Sequence, residues 1–490
     1  LGKETTREMA VAALRQLVDQ YEGTNVSHLF WNVNYQRAAY RSKVWPSYWD
    51  VPAPETELTA WARKYYELHR LGIDDVFAIV IPRCRERGIS PWISLRMNDH
   101  HYRDNPLSVS PFMVEHPELR LAGGKGLFNY AKPEVRRHYL ALIGEVLGRY
   151  DVDGLELDWM RSAPIFEEEE TASGRPVISE FMRQVRAMAA AAGERLGHPV
   201  RIAARVSATP ELAYGLGFDA VEWAKQGLID ILIPGASGYP DVPVERWRTE
   251  IGTAGKACLI MPGTDRAYSC VPGGPGRGLS RETTRGFTAS MLDRGADGLY
   301  LFNHFMSVDF SLRRMTPEGQ KKQELMGEIL RDAGDLASAT AKSRLHVLTL
   351  INASTHKPLS RTEGPGLSMP FPVLPQKPLL LRIHTGPKPV IGRYLVRVGL
   401  AKSDDLADTR LTARLNSTPC RMLGDLPQPA KPDTGRDSIQ RFLQFEAPLN
   451  SVLRGYNDIE LGIEKGGPQT VVWLEVLIEP KTSEQGWADR

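Results

Sequence analysis

The chain has 490 residues, 42% of them hydrophobic and 24% charged, and a formal net charge of +2. That length suits one large domain plus a smaller one, and the composition is that of a water-soluble globular protein. The near-even charge offers no bulk attraction to nucleic acid or an anionic membrane, and no apolar run is long enough to span a bilayer.

The opening LGKETTREMA lacks the pattern of a signal peptide, although a mature chain has already lost one. A helix is predicted from Glu8 to Tyr21, after which strand-like and helix-like segments alternate to about residue 335. Strands are predicted at 28–34, 91–97, 154–158, 201–207, 229–234, 257–262 and 298–304. Several are nearly continuous apolar runs, the pattern of parallel strands buried on both faces. Pro133 is placed to open a helix, where its missing N–H costs nothing, and Val135, Tyr139, Leu142, Ile143 and Val146 form that helix's buried stripe. Further helices are predicted near 177–196, 220–226, 243–254, 281–294 and 317–332.

This alternation predicts an α/β chain with a (β/α)8 TIM barrel, and the lack of a glycine-rich phosphate loop after the first strand weakens a dinucleotide fold. Seven strands are found, and the eighth is expected near 43–50 or 75–81. The insertion 35–58, with Tyr40, Arg41, Trp45, Tyr48 and Trp49, either forms a rim over the barrel mouth or packs onto the barrel. From about Ser343 the pattern becomes short alternating strands between proline- and glycine-rich turns, the signature of an antiparallel β-sandwich. The expected domains are 1–340, a barrel with an N-terminal helix, and 341–490, an accessory β-sandwich. A small-residue linker is expected at 332–341.

Function is concentrated in Tyr150 to Arg161, YDVDGLELDWMR. Residues two apart on a strand share a face, so Glu156 and Asp158 point the same way with Cα atoms roughly 7 Å apart, while Leu155 and Leu157 face away. Two acids at the end of a buried strand are costly unless hydrogen-bonded or employed in chemistry. The structural alternative is a pair of carboxylates that hold neighbouring loops.

Active sites of such barrels sit at the carboxyl ends of the strands. Those ends carry Trp31, Asn32 and Asn34; Arg96, Asn98, Asp99, His100 and His101; Trp159, Arg161 and Arg205; Tyr239 and Asp241; Asp265; and Asn303 and His304. Mixed rings, amides, arginines and acids suit a polyhydroxylated ligand. Each has a plainer role: Trp31 and Trp159 in packing, Arg96 and Arg205 as partners that neutralise Glu156 and Asp158. Glycoside hydrolysis needs two carboxyl groups flanking the bond. Asp158 is the candidate nucleophile or base, Asp241 and Asp265 are candidate proton donors, and Glu156 is a supporting acid. The alternatives are a non-catalytic carbohydrate-binding barrel, or a metal-assisted lyase or hydrolase using Asp99, His100 and His101. No metal or other cofactor is expected, since adjacent histidines rarely converge on one ion. Cys84, Cys258, Cys270 and Cys420 are scattered without metal-ligand spacing, and a Cys258–Cys270 bridge is open but not established by spacing.

DGLELDWM (Asp153–Met160) resembles the DGxDxDxE strand signature of family 18 chitinases, but Met160 stands where those enzymes carry the proton-donating glutamate, so chitinase chemistry is rejected. RERGISPWISLRMND (Arg85–Asp99), the run from Phe128 to Arg161 and GLIDILIPG (Gly227–Gly235) are more similar to bacterial glycosyl-hydrolase-like barrel proteins of the family 10-like group. That resemblance implies a (β/α)8 carbohydrate-active enzyme with an acid at Asp158, and a sandwich of the accessory kind. The expectation is a bacterial glycoside hydrolase acting on an oligo- or polysaccharide, with no nucleic-acid or membrane partner. Compartment is left open, with periplasmic or secreted favoured over cytoplasmic; oligomeric state is not specified.

Overall fold

The computed structural model describes residues 5–51, 57–99, 101, 105, 107–122, 126–235, 240–265, 267–269, 276–278, 280–304, 317–349, 369–427 and 439–481. The chain is mixed α/β, with a parallel sheet first and antiparallel sheets after it. The parallel sheet runs in chain order through β1 (His28–Asn32), β2 (Ser90–Arg96), β3 (Gly154–Asp158), β4 (Arg201–Val206), β5 (Ile231–Pro234) and β6 (Leu259–Ile260). Pro262 interrupts the next hydrogen bonds, and the chain resumes as β7 (Gly263–Thr264). A small antiparallel pair, β8 (Ala267–Ser269) and β9 (Gly276–Gly278), follows, and β10 (Tyr300–Leu301) pairs with β7 in parallel.

Neither stretch expected to supply the eighth strand is one. Residues 75–81 enter the helix Phe77–Glu86, and 43–50 form a loop tied by an isolated bridge between Ala38 and Ser47. Among the described residues β1 and β10 share no ladder; instead the Phe30 and Tyr300 rings meet edge to face at 5.2 Å across the gap. The helices fall close to their expected positions, with Pro133 at the first turn of Pro133–Arg149 and the helix Pro317–Asp332 as predicted. One begins early. Thr171–Leu196 starts ahead of Pro176, because burial of Thr171, Gly174, Ile178 and Phe181 outweighs the one helical bond that proline removes.

Inward side chains of the parallel sheet stack in rows set by its register. Phe30, Trp92 and Gly154 lie side by side at the bottom, and the Trp92 ring fills the place of the missing Gly154 side chain, where a Cβ would sit 2.3 Å from it. Asn32, Ser94, Glu156, Ala203 and Ile231 form the middle row. Arg96, Asp158, Arg205 and Ile233 form the top row. Leu155 and Leu157 point outward into the core shared with the helices.

The antiparallel part holds β11 (Arg344–Val347), β12 (Phe371–Val373), β13 (Leu379–His384), β14 (Gly392–Leu400), β15 (Arg410–Leu415), β16 (Thr418–Pro419), β17 (Arg421–Leu426), β18 (Arg441–Ala447), β19 (Tyr456–Lys465) and β20 (Gln469–Pro480). One sheet has the order β11-β20-β14-β18-β17, with β12 also on β20; the other has the order β13-β19-β15-β16. Both contribute to one core through residues such as Leu381, Ile459, Val396 and Leu474. β12 and β16 span three and two residues, too few for an alternating pattern to show in the sequence. β17 is hidden by a register shift beside Gly424, whose φ of +120° breaks the alternation. Asn416 and Ser417, with φ of 47° and 68°, make the two-residue turn from β15 to β16.

The expected linker at 332–341 is structured. Asp335 caps the short helix Leu336–Thr340, and Asp332 is buried between Arg285 (2.7 Å) and Lys342 (2.6 Å). The helix Arg281–Asp293 packs on β11 so closely that a Cβ on Gly286 would lie 2.0 Å from the Leu345 carbonyl. That helix opens with a capping box between Ser280 and Thr283. Ser280→Ala removes an acceptor for a helix N–H and is expected to lower stability by about 1 kcal/mol, read from the urea midpoint.

Candidate functional site

Asp158 is the centre of the top row. Its carboxylate is only 2% exposed and accepts from Arg205 Nη1 through Oδ1 at 2.9 Å and Oδ2 at 3.1 Å, with the Met160 N–H donating to Oδ1 at 3.0 Å. Arg205 in turn lies over the Phe302 ring, 3.9 Å from its centre. Parallel pairing places Arg205 beside Asp158, so the partner foreseen for the two acids is Arg205, while Arg96 turns to Asp99 at 2.7 Å.

Glu156 lies one row deeper and is fully buried. Neither of its oxygens has a hydrogen-bond partner of good geometry among the described residues. Burial and the neighbouring Asp158 charge raise its pKa to about 7, and the facing Ser94 and Tyr300 hydroxyls and Arg205 offset part of that rise. The acid is therefore neutral below that pH, which removes its repulsion of the Asp158 carboxylate. Burial and the nearby Glu156 also hold the Tyr300 hydroxyl protonated.

Asp158 borders a cavity of about 480 Å³ that follows the open seam between β1 and β10. Its polar lining includes Asn32, Ser94, Arg96, Asn303 and His304, and its apolar side includes Phe30, Tyr300 and Phe302. Asn32 donates to the Ser94 carbonyl at 3.2 Å, and Asn303 takes a φ of +56°, which presents its side chain from a tight turn after β10. The ring of His304 is oriented by the Phe302 carbonyl, 2.8 Å from Nδ1.

Beside the cavity, Asp99 is buried between Arg96 and His101, whose N–H donates to Oδ1 at 2.8 Å and whose Nδ1 lies 2.6 Å from the same oxygen. Burial opposes ionisation of Asp99, but the His101 and Arg96 contacts prevail and hold its pKa below the usual carboxylate range. Arg161 approaches the other ring nitrogen of His101, Nε2, at 3.2 Å. A guanidinium only donates, so Nε2 carries the lone pair and Nδ1–H points at Asp99. Both nitrogens are thus engaged. The metal-assisted alternative would have to break these contacts, and its other ligand, His100, lies outside the described residues. Among the described residues no cluster of three or more metal-ligating side chains forms.

Several expected ligand contacts are corrected by the packing. Trp159 is fully buried among Tyr130, Phe181 and Phe218, so it offers no face for stacking on a sugar. Asn34 bonds the Arg96 backbone with both ends of its amide at 3.0 Å, and Asn98 does the same to Phe128 at 3.0 and 3.1 Å. These two amides hold loops. Trp31 faces outward from β1 toward the helices while still bordering the seam. Asp241 accepts from the Thr349 N–H (2.8 Å) and hydroxyl (3.0 Å), which ties it to the chain just past β11. Asp265 follows β7 directly and is half-buried. Tyr239 lies outside the described residues.

The rim reading of 35–58 is corrected in favour of packing. Trp45 stacks on His138 with ring centres 4.3 Å apart, Trp49 stacks on His69 at 4.9 Å, and the buried Tyr40 donates to Glu145 at 2.9 Å. Cys258 carries a free thiol, and Cys270 lies outside the described residues. Sequence reasoning missed Ser94, Tyr300 and Phe302. The signal was present, since strand alternation places Ser94 between Trp92 and Arg96 on one face, and Phe302 on the face of Tyr300.

No protein-family model matches the chain, and no curated protein matches it. Among solved structures it is similar to the PgaB (BpsB) glycoside hydrolase domain from Bordetella bronchiseptica, at 12% identity and a TM-score of 0.37, over 65% of this chain and 92% of that one. It is also similar to alpha-L-fucosidase isoenzyme 2 from Paenibacillus thiaminolyticus, at 14% identity and a TM-score of 0.36, over 67% of this chain and 46% of that one. A family GH18 chitinase from Chromobacterium violaceum aligns at 8% identity and a TM-score of 0.33, over 81% and 79% of the two chains.

Proposed function

We propose that the chain is a carbohydrate-active enzyme, and more narrowly a glycoside hydrolase in which Asp158 acts as nucleophile or water-activating base on an oligo- or polysaccharide. The observation that supports this reading is the setting of Asp158. Its carboxylate, oriented by Arg205 and the Met160 N–H, borders a cavity whose polar lining is of the amide, guanidinium and imidazole kind. Such groups bond sugar hydroxyls, and the rings beside them suit sugar C–H faces. Chemistry is assigned to residues 1–340 and an accessory role to 341–490.

A hydrolase needs a second carboxyl group on the far side of the bond. Asp241 is committed to Thr349, which leaves Asp265 as the candidate proton donor. Glu156, whose charge is disfavoured by burial and by the neighbouring Asp158, serves as a supporting acid beneath it.

The test is release of reducing sugar from a panel of neutral, uronate-containing and sulfated polysaccharides. The parent chain is expected to cleave at least one. Asp265→Asn is expected to slow that reaction about 100-fold, while a dinitrophenyl glycoside of the same sugar is nearly unaffected, because its leaving group needs no proton. Equal losses on both substrates would reassign Asp265 to a structural role, and no cleavage of any substrate would remove the hydrolase reading. The near-complete burial of Glu156 and Asp158 favours a second reading, carbohydrate binding without turnover. Retained polysaccharide binding by a parent chain that cleaves nothing would select it.

A further inference from the structure

Three guanidinium groups, those of Arg96, Arg161 and Arg205, gather about the carboxylates of Asp99 and Asp158. Arg205 is closed on Asp158 and Arg96 on Asp99. Arg161 is left over. Its nearest carboxylate oxygen, Asp99 Oδ2, is 3.9 Å from Nε, beyond hydrogen-bonding reach, and Nε has no hydrogen-bond partner among the described residues. Its only hydrogen-bond partner among the described residues is the His101 ring. One face lies toward the Phe302 ring, 5.7 Å from its centre, on the ring that also carries Arg205. Burial and the like charges of Arg96 and Arg205 work against the charge of Arg161, and Asp99 and Asp158 offset them only in part.

A neutral sugar leaves this imbalance in place. An oxyanion corrects it, because the guanidinium fork presents two parallel donors to a pair of oxygens on a carboxylate or a sulfate. Arg161 and Arg96 keep about a fifth of their side chains exposed, 19% and 18%, so an arriving anion can reach them while Asp99 stays buried beneath. Resting on the reading of this site as a sugar site, we infer that it is built for an anionic saccharide, with Arg161 meeting a carboxylate or sulfate substituent on the sugar. Carboxylate and sulfate share this chemistry, and the probes below separate them.

The experiment is calorimetric titration of the full chain with polygalacturonate, dextran sulfate and neutral dextran, in about 0.15 M salt to screen bulk attraction. At least one charged polymer is expected to bind about tenfold or more tightly than dextran, as a charge-assisted pair supplies. Arg161→Ala is expected to erase the preference and Arg161→Lys to restore part of it, with thermal unfolding confirming that both variants fold. Arg410→Ala removes the same charge from an exposed position on β15 and is expected to leave the preference intact. Polygalacturonate binding alone assigns a carboxylate, and dextran sulfate binding alone assigns a sulfate. The inference is overturned if dextran binds as well as either charged polymer, if neither charged polymer binds, or if Arg410→Ala weakens binding as much as Arg161→Ala. Dextran binding without charge preference would leave the sugar-site reading standing. Failure of all three polymers, together with no cleavage of the polysaccharide panel, would remove both.

Discussion

Asp158→Asn is expected to reduce turnover by about three orders of magnitude or more on whichever polysaccharide the parent cleaves. The same change is expected to lower stability, and the reason lies in Arg205. With the carboxylate gone, a guanidinium that is 3% exposed loses its charge partner. Stranding one member of a buried ion pair costs about 3–5 kcal/mol, whereas replacing both members by well-packed neutral groups is often near neutral. The two effects are separated by adding Arg205→Met, whose thioether takes the place of the guanidinium over Phe302. The double variant is expected to recover most of the lost stability in urea and none of the lost activity. Asp158→Asn with near-parental turnover would end the assignment of Asp158 as the reacting acid, and an unchanged urea midpoint would show that the Arg205 pairing contributes little.

Glu156 gives the protein a stability that falls as pH rises. Its folded-state pKa, about 7, lies above the ordinary glutamate value of 4.5, so between these values the folded chain holds a proton that the unfolded chain releases. Stability then decreases with pH, fully favourable below about 4.5 and lost as pH rises through about 7. At about 1.4 kcal/mol per pKa unit the loss is roughly 3 kcal/mol. Glu156→Gln keeps the shape and removes the titration. Urea unfolding at pH 4.5 and pH 8 is therefore expected to give similar stabilities for the two proteins at the lower pH and a more stable variant, by roughly 3 kcal/mol, at the higher. Parallel pH profiles would mean that Glu156 ionises freely in the folded chain. The background of surface acids cancels, because it is the same in both proteins.

The sequence carried the local decisions. Gly154–Asp158 and Pro317–Asp332 fall where their periodicity places them, because alternation, helical spacing and the reach of a proline act within a few residues. The common face of Glu156 and Asp158 follows from the same two-residue repeat. The elements that escaped are those whose local pattern is weak: β17, with its irregular register beside Gly424, and the two-residue β16.

Tertiary structure decided everything that depends on a neighbour from elsewhere in the chain. Nothing local to β3 distinguishes Arg96 from Arg205 as the partner of Asp158; register sets all three side by side, and Asp99 then draws Arg96 away. Trp159 reads as a binding platform until Tyr130, Phe181 and Phe218 close around it, and Asn34 and Asn98 read as ligand groups until backbone from other segments occupies their amides. Closure of the sheet is of the same kind. Among the described residues the first and last parallel strands share no ladder, and the space between them, bridged by Phe30 and Tyr300, is a cavity reaching Asp158.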